Sequence, residues 1–246
     1  MFIRHRTLGF VFKKEDRGEA DQIFKIFTKD FGKIEVLGKG IRKISSKLRS
    51  QIDIFYLSEI EFIQGKIHKR LTDALLIEKY KNLRKSFKRL SIAYQISEVL
   101  DGLIKGEERD ERIWNLILET FKNLNDPNIQ FKVCNLQYYY FFWNFVSFLG
   151  QRPELYSCSV CQKRLMPGRI YFNEREGGTI CSNCFQKKGE GREISQNLVK
   201  ILRIILEKDF NYLKRLKVKE KELEELSKIS DLYFRFLTEN ETKFIR

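Results

Sequence analysis

The chain has 246 residues, with 47 lysines and arginines against 33 aspartates and glutamates, a formal charge of +14. Apolar residues at 42% and aromatics at 13% exclude a disordered polycation and leave a folded protein of one large or two small domains. The charge predicts an anionic partner, nucleic acid before an acidic membrane surface. The greasiest stretch, Tyr138 to Leu149, is interrupted by Asn144 and Ser147 and falls short of the ~20 residues a bilayer requires. MFIRHRTLGF carries no apolar segment of the kind a signal peptide needs, so the expectation is a soluble, cytoplasmic protein with no membrane partner.

Residues 1–76 read as short β-segments divided by glycine. Thr7 to Phe12 alternates with large residues at Leu8, Phe10 and Phe12, and a polar turn follows from Lys13 to Gly18. Gln22 to Thr28 is a second run, and Ile34 to Leu37 a third, closed by Gly38-Lys39-Gly40. Ile52 to Ile63 and Lys66 to Leu76 complete five antiparallel strands. That is the size and strand count of an OB-fold, and an SH3-like barrel gives nearly the same pattern.

Residues 77–246 change to helical spacing. Leu83, Phe87, Leu90, Tyr94, Ile96 and Leu100 recur at intervals of three or four, as do Ile113, Leu116, Ile117, Thr120 and Leu124. Asp126-Pro127 marks a break before an aromatic-dense helix, Phe131 to Leu149, whose all-round hydrophobicity predicts burial on more than one side. Cys134 on this helix reads as a small buried residue. Ser195 is the expected N-cap of a helix from Gln196, and Lys219 to Leu237 continues as charged amphipathic helix. The fold class is therefore α+β multidomain, a barrel over 1–76 and a helical domain over 77–246.

Cys158-x2-Cys161 and Cys181-x2-Cys184 are spaced as the two knuckles of a four-thiolate zinc ribbon, at about residues 155–190. Gly168 and Gly177-Gly178 sit where its hairpin would turn, and Ile170-Tyr171-Phe172 reads as a strand. Two redox or disulfide pairs are the alternative, which a cytosolic location disfavours. Four cysteines fill a tetrahedral shell, so the expected ion is one structural Zn2+ that braces an insert with too little apolar surface to fold alone. His5 and His68 stand apart from it and have no partner at ligand spacing.

Two segments are rich in cations. Between Lys33 and Arg49 lie Lys33, Lys39, Arg42, Lys43, Lys47 and Arg49 against one acid, Glu35, with small residues that let a backbone approach phosphates. Lys79 to Arg89 holds Lys79, Lys81, Arg84, Lys85, Lys88 and Arg89 with no acid, and is expected to place Lys81, Arg84 and Lys88 on one helical face. A third run, Lys214 to Lys221, adjoins acids and reads as a solvated helix. Phe10, Phe12, Phe24, Phe27, Phe31 and Phe55 are the aromatics available for base stacking, although most are needed for the barrel core. No P-loop, dinucleotide-binding glycine turn or nucleophile elbow is present, and Glu19 with Asp21 is a weak candidate for a magnesium site. The expectation is a protein that is not an enzyme.

Three stretches together resemble the bacterial DNA repair and recombination protein RecO family. They are Thr7 to Lys13 with Gly18 to Ile23 and Ile26 to Thr28; Phe31-Gly32-Lys33 through Lys39-Gly40-Ile41-Arg42-Lys43 to Arg49; and Leu149 to Leu155 with the four cysteines, Tyr171-Phe172 and Gly177-Gly178. The resemblance implies an N-terminal OB-fold and a C-terminal helical domain carrying a zinc ribbon, in a cytoplasmic, nucleoid-associated protein. It implies binding of single- and double-stranded DNA and ATP-independent annealing of complementary strands. It also implies partnership with RecR and with the C-terminal tail of single-stranded-DNA-binding protein, so that recombinase RecA is loaded. Lys39, Arg42, Lys43, Lys47 and Arg49 match the family's basic segment, with Ile41 where a small residue is common. The runner-up is an RNA-binding factor in ribosome or RNA processing that uses the same barrel and ribbon.

Overall fold

The computed structural model describes residues 3–65, 67–129 and 131–243, and the chain forms two compact units, 1–129 and 130–246. The first is built on five strands: β1 (Arg4–Arg17), β2 (Asp21–Thr28), β3 (Gly32–Gly38), β4 (Leu57–Ile63) and β5 (Lys69–Glu78). They close in the order β1-β2-β3-β5-β4 and back to β1, with β3 and β5 parallel and every other pair antiparallel. This is an OB-fold barrel. Its interior is filled by alternate residues, among them Val11, Phe24, Ile26, Ile34, Val36, Ile60, Phe62 and Leu71.

Two details of the strands differ from the alternation in sequence. β1 runs on to Arg17 and pairs with β2 through the expected polar turn, with a register shift between Val11 and Lys13. β4 starts only at Leu57, because Phe55 adopts a left-handed backbone (φ 59°) that no strand accommodates. Of the expected fifth strand, Lys66 lies outside the described residues.

Three helices complete this unit: α1 (Lys81–Arg84), α2 (Phe87–Leu103) and α3 (Glu111–Asn125). Phe10, on the outer side of β1, meets Phe121 of α3 with ring centroids 4.3 Å apart, and Phe55 meets Phe121 at 5.5 Å. Aromatics expected inside the barrel thus form a second core between barrel and helices. Arg89 is buried, donating to the carbonyl of Leu124 in the last turn of α3 and to those of Pro127 and Ile129 just past its end.

One carboxylate fixes α2 against the sheet. Lys13 and Lys25 face each other across β1 and β2, and Lys33 lies diagonally on β3, an arrangement of like charges that repels unless neutralised. Asp101 of α2 receives all three ammoniums, at 2.7 Å from Lys13, 3.0 Å from Lys25 and 3.0 Å from Lys33. Burial alone would raise this carboxyl group, but the three lysine hydrogen bonds overturn that and hold it well below the ordinary aspartate range.

The second unit contains α4 (Phe131–Phe148), α6 (Gln196–Glu207), α7 (Phe210–Leu213) and α8 (Glu220–Lys243), with a small domain between α4 and α6 made of β6 (Ile170–Asn173), β7 (Gly178–Cys181), α5 (Ser182–Lys188) and β8 (Arg192–Ile194). Phe141, Phe142, Trp143 and Phe145 of α4 are buried, and the Trp143 indole donates to Ser230 Oγ of α8 at 3.0 Å. Ser195 caps α6 by accepting from the Leu198 amide at 3.1 Å. Among the described residues no helix is long and apolar enough to cross a membrane.

Replacing Asp101 by asparagine removes the carboxylate that three half-buried cations share, leaving Lys13 and Lys25 with more distant glutamates. It is expected to cost about 3 kcal/mol at pH 7, read by urea denaturation. A carboxylate held below its unfolded pKa of about 3.9 stabilises above that pH and loses its contribution as pH falls through and below it. The gap between wild type and variant therefore narrows below about pH 4, and a gap independent of pH contradicts this role.

Candidate nucleic-acid interface and metal centre

The first basic segment follows β3 as a loop held at two apolar points. Ile41 is buried against the barrel core, and the half-buried Leu48, in a 3-10 turn over Lys47–Ser50, packs on the same cluster. Gly40, at φ 64°, gives its amide to Asp21 Oδ1 at 2.6 Å, and the Arg42 amide reaches the Ala20 carbonyl at 2.9 Å. Asp21 thus braces the loop, and Glu19 lies exposed beside it. With Ile41 and Leu48 turned inward, Lys39, Arg42, Lys43, Lys47 and Arg49 are all exposed. Ile41 is one of the loop's two anchors.

Arg42 and Arg49 also line a polar cavity of about 350 Å³ with Lys14, Gln22, Ile41, Ile52 and Asp53. Lys14 pairs with Asp53, and Arg42 sits 3.4 Å from Asp16, so the cations are oriented but keep a surplus of positive charge. Lys33 is placed differently from the other residues of its run. Its ammonium donates to Asp101 Oδ1 and to the main-chain carbonyls of Asp101 and Ile104, the latter two at 2.9 Å. Three acceptors use its three hydrogens and leave none for a phosphate.

The second basic run is divided between two helices instead of sharing one face. α1 ends at Arg84, and Ser86 starts a new helix, its Oγ accepting from the Arg89 amide. Arg84 donates to the Ile54 carbonyl and lies 5.0 Å from the centre of the Tyr56 ring, with Lys79 at 5.7 Å from the same ring. Ile54 adjoins Asp53 of the polar cavity, so both basic runs meet within one unit. Lys81, Lys85 and Lys88 are exposed. Of the third run, Lys214 is half-buried and bonds Asn211 beside it.

The barrel aromatics do not offer stacking faces: Phe10, Phe12, Phe24, Phe27 and Phe55 are buried and Phe31 is half-buried. The sequence reading missed Lys14, assigned to a turn when it belongs to β1. It also missed Phe87, counted as an interior helical position when it is 89% exposed. The signal for Phe87 was present, since it is the first residue after a serine cap and lies out of phase with Ile92, Ile96 and Val99, which α2 buries.

In the second unit the sulfurs of Cys158, Cys161, Cys181 and Cys184 all lie within 4.8 Å of one another. Tetrahedral coordination with bonds of 2.3 Å needs sulfurs about 3.8 Å apart, which small side-chain movements supply. Each pair comes from one tight structure. The Gln162 amide returns to the Cys158 carbonyl at 2.8 Å, with Gln162 at φ 60°, and Cys181 ends β7 while Cys184 lies in the first turn of α5. At Gly178 a Cβ would lie 2.3 Å from the Glu154 carbonyl oxygen, so only glycine lets the segment entering the ribbon pair with β7. Burial would raise the Cys158 thiol, but the amides of Cys161, Cys181 and Val160 bring it down to about 6. Cys184 is pushed up to about 12, by burial and then by the neighbouring sulfurs. A cluster whose thiols oppose each other's ionisation fits a thiophilic dication that makes all four thiolates. Among the described residues, Tyr171, Ile180, Val160, Leu165 and Phe185 are the apolar side chains packed in this cluster.

An OB-fold barrel with an outward cationic loop, followed by a helical unit that carries a four-cysteine cluster, defines a class of two-part proteins. Sequence profiles narrow this further. That described as Recombination protein O N terminal matches residues 1–80, and Recombination protein O C terminal matches 84–243. The chain belongs to the recombination protein O (RecO) family. It is 32% identical over 238 residues to DNA repair protein RecO of Dehalococcoides mccartyi, covering 97% of this chain and 92% of the relative. It is 29% identical over 242 residues to that of Thermoanaerobacter sp., covering 97% and 94%, and 28% over 231 residues to that of Moorella thermoacetica, covering 93% and 84%.

One thiophilic dication per chain is expected, released by a competing chelator. Cys161→Ser, at the exposed ligand, should weaken metal binding beyond the roughly 10- to 100-fold that changes around a ligand shell cost. Recovery of the four sulfurs as two disulfides without metal would contradict the centre.

Proposed function

We propose that this chain is a DNA repair protein that works without a catalytic centre. It binds single- and double-stranded DNA by the phosphates, anneals complementary strands without ATP, and helps load recombinase RecA onto strands coated with single-stranded-DNA-binding protein. RecR and the C-terminal tail of single-stranded-DNA-binding protein are its proposed protein partners. The observation that carries the DNA-binding reading is the loop anchored by Ile41 and Leu48, which turns five cations outward beside Arg84 and the exposed lysines of the second run.

Phosphates held along Lys39, Arg42, Lys43, Lys47, Arg49, Lys81, Arg84, Lys85 and Lys88 lose their mutual repulsion, and two strands can then approach. Base pairing supplies the driving force, so hydrolysis is unnecessary. Cations contacting the backbone give little sequence preference and strong salt dependence. The four cysteines would hold one Zn2+, which supplies folding free energy on the order of 10 kcal/mol and has no open position for a reacting water.

The test is annealing of two complementary DNA strands without ATP, followed by fluorescence. Wild type should accelerate it, and Lys39/Arg42/Lys43→Ala should lose most of that acceleration. The same variant should lower the salt slope of single-strand binding by about 2, at ~0.7 per phosphate contact. Equal acceleration by both proteins would remove the loop from the DNA site.

A further inference from the structure

Most side chains in the second basic run are accounted for by charge or by packing. Arg84 is tied to Ile54 and Tyr56, Arg89 is buried against the end of α3, and Leu83 is fully buried. Phe87 is the exception. It is the first residue of α2, 89% exposed, and stands between Lys85 and Lys88, with Lys81 on the preceding short helix also exposed. A single exposed apolar residue is ordinary. A bare phenylalanine in a run of six cations with no acid between residues 79 and 89 is a more specific arrangement.

A second aromatic lies on the same side of α2. Tyr94 follows seven residues later, two helical turns or about 10 Å along the axis, and is 46% exposed. Its ring is braced edge-on by Phe55 at 5.1 Å, next to Tyr56, which carries the Arg84 and Lys79 cations. Aromatic rings alternating with lysines suit one chemistry in particular: a strand whose phosphates meet the ammoniums while its unpaired bases stack on the rings. A duplex keeps its bases stacked on each other and gains nothing from such rings. An apolar protein surface would have to desolvate the flanking lysines without a counterion.

We propose that Phe87, with Tyr94 as a second platform, is a base-stacking site for single-stranded nucleic acid. This rests on the reading of the first unit as a phosphate-binding surface and assigns the discrimination between single strand and duplex to the start of α2.

Affinities for an unstructured oligonucleotide and for a duplex of equal length would be measured at several salt concentrations, using the full chain. Phe87→Ala should weaken single-strand binding about tenfold, the loss of one stacked base. It should leave duplex binding and the salt slope unchanged, because no phosphate contact is removed. Phe87→Trp should retain affinity, and its fluorescence should be quenched by the oligonucleotide; Trp114 and Trp143 are both buried, so the signal reports position 87. Unchanged single-strand affinity in Phe87→Ala with no quenching in Phe87→Trp overturns the proposal and leaves the ring to a protein partner. An equal loss for single strand and duplex overturns stacking as well. If wild type shows no salt-dependent binding to either nucleic acid, the phosphate-binding reading itself fails, a result distinct from the other two.

Discussion

Asp101 and the three lysines around it determine how the first unit is put together and where its positive charge is available. Lys13, Lys25 and Lys33 come from three adjacent strands and converge on one carboxylate of α2. Without that carboxylate the three lysines would lose the acceptor they share, leaving Lys13 with Glu98 at 3.9 Å and Lys25 with Glu15 and Glu35 at 3.7 and 3.8 Å, and α2 would keep the bond from Ser97 to the Phe12 carbonyl of β1. With it, the sheet is neutralised and covered, and Phe10 and Phe55 find their partners in α3. The consequence for function is a division of labour among cations. Lys13, Lys25 and Lys33 hold the fold, and Lys39, Lys43, Lys47, Arg49, Lys81 and Lys85 are exposed where the proposed DNA would meet them.

The loop keeps this role because its own anchors are apolar. Ile41 and Leu48 are held by burial in the barrel core, so the loop does not need Lys43 or Lys47 to fix its position. In the second unit the balance is reversed. The ribbon's apolar cluster is small, two of its four buried members are cysteines, and Gly178 admits the Glu154 carbonyl at a distance no side chain would allow. A metal ion held by the four cysteines would supply the cohesion that such a cluster lacks.

Much of this was legible in the sequence where a local rule operates alone. The cysteine spacing located the four-sulfur cluster, and Ser195 marked the start of α6, which buries Leu198, Val199, Ile201, Leu202 and Ile205. What periodicity does not carry is the choice between equivalent partners at long range. Nothing near Lys33 in sequence indicates Asp101, 68 residues away, so its run of cations looked uniform. Phe10 and Phe12 read as barrel interior because alternation gives two faces but not which one helices will cover. The expected boundary at 76/77 falls near the end of β5, whereas the compact units divide at 129/130, because α2 and α3 pack with the barrel. α1 ends at Arg84 and Ser86 caps the next helix, which breaks the face on which Lys81, Arg84 and Lys88 were expected to align.

The central claim is that DNA meets the loop and helix-start cations while the sheet lysines stay engaged with Asp101. It is tested most directly by lysine footprinting: labelling with an amine reagent, with and without a single-stranded oligonucleotide, read by mass spectrometry. The account predicts that Lys39, Lys43, Lys47, Lys81 and Lys85 label readily in the free protein and are protected by the strand. Lys13, Lys25 and Lys33 should label slowly in both conditions. Protection confined to the ribbon lysines Lys163, Lys187 and Lys188, with the loop lysines equally reactive in both conditions, would contradict it.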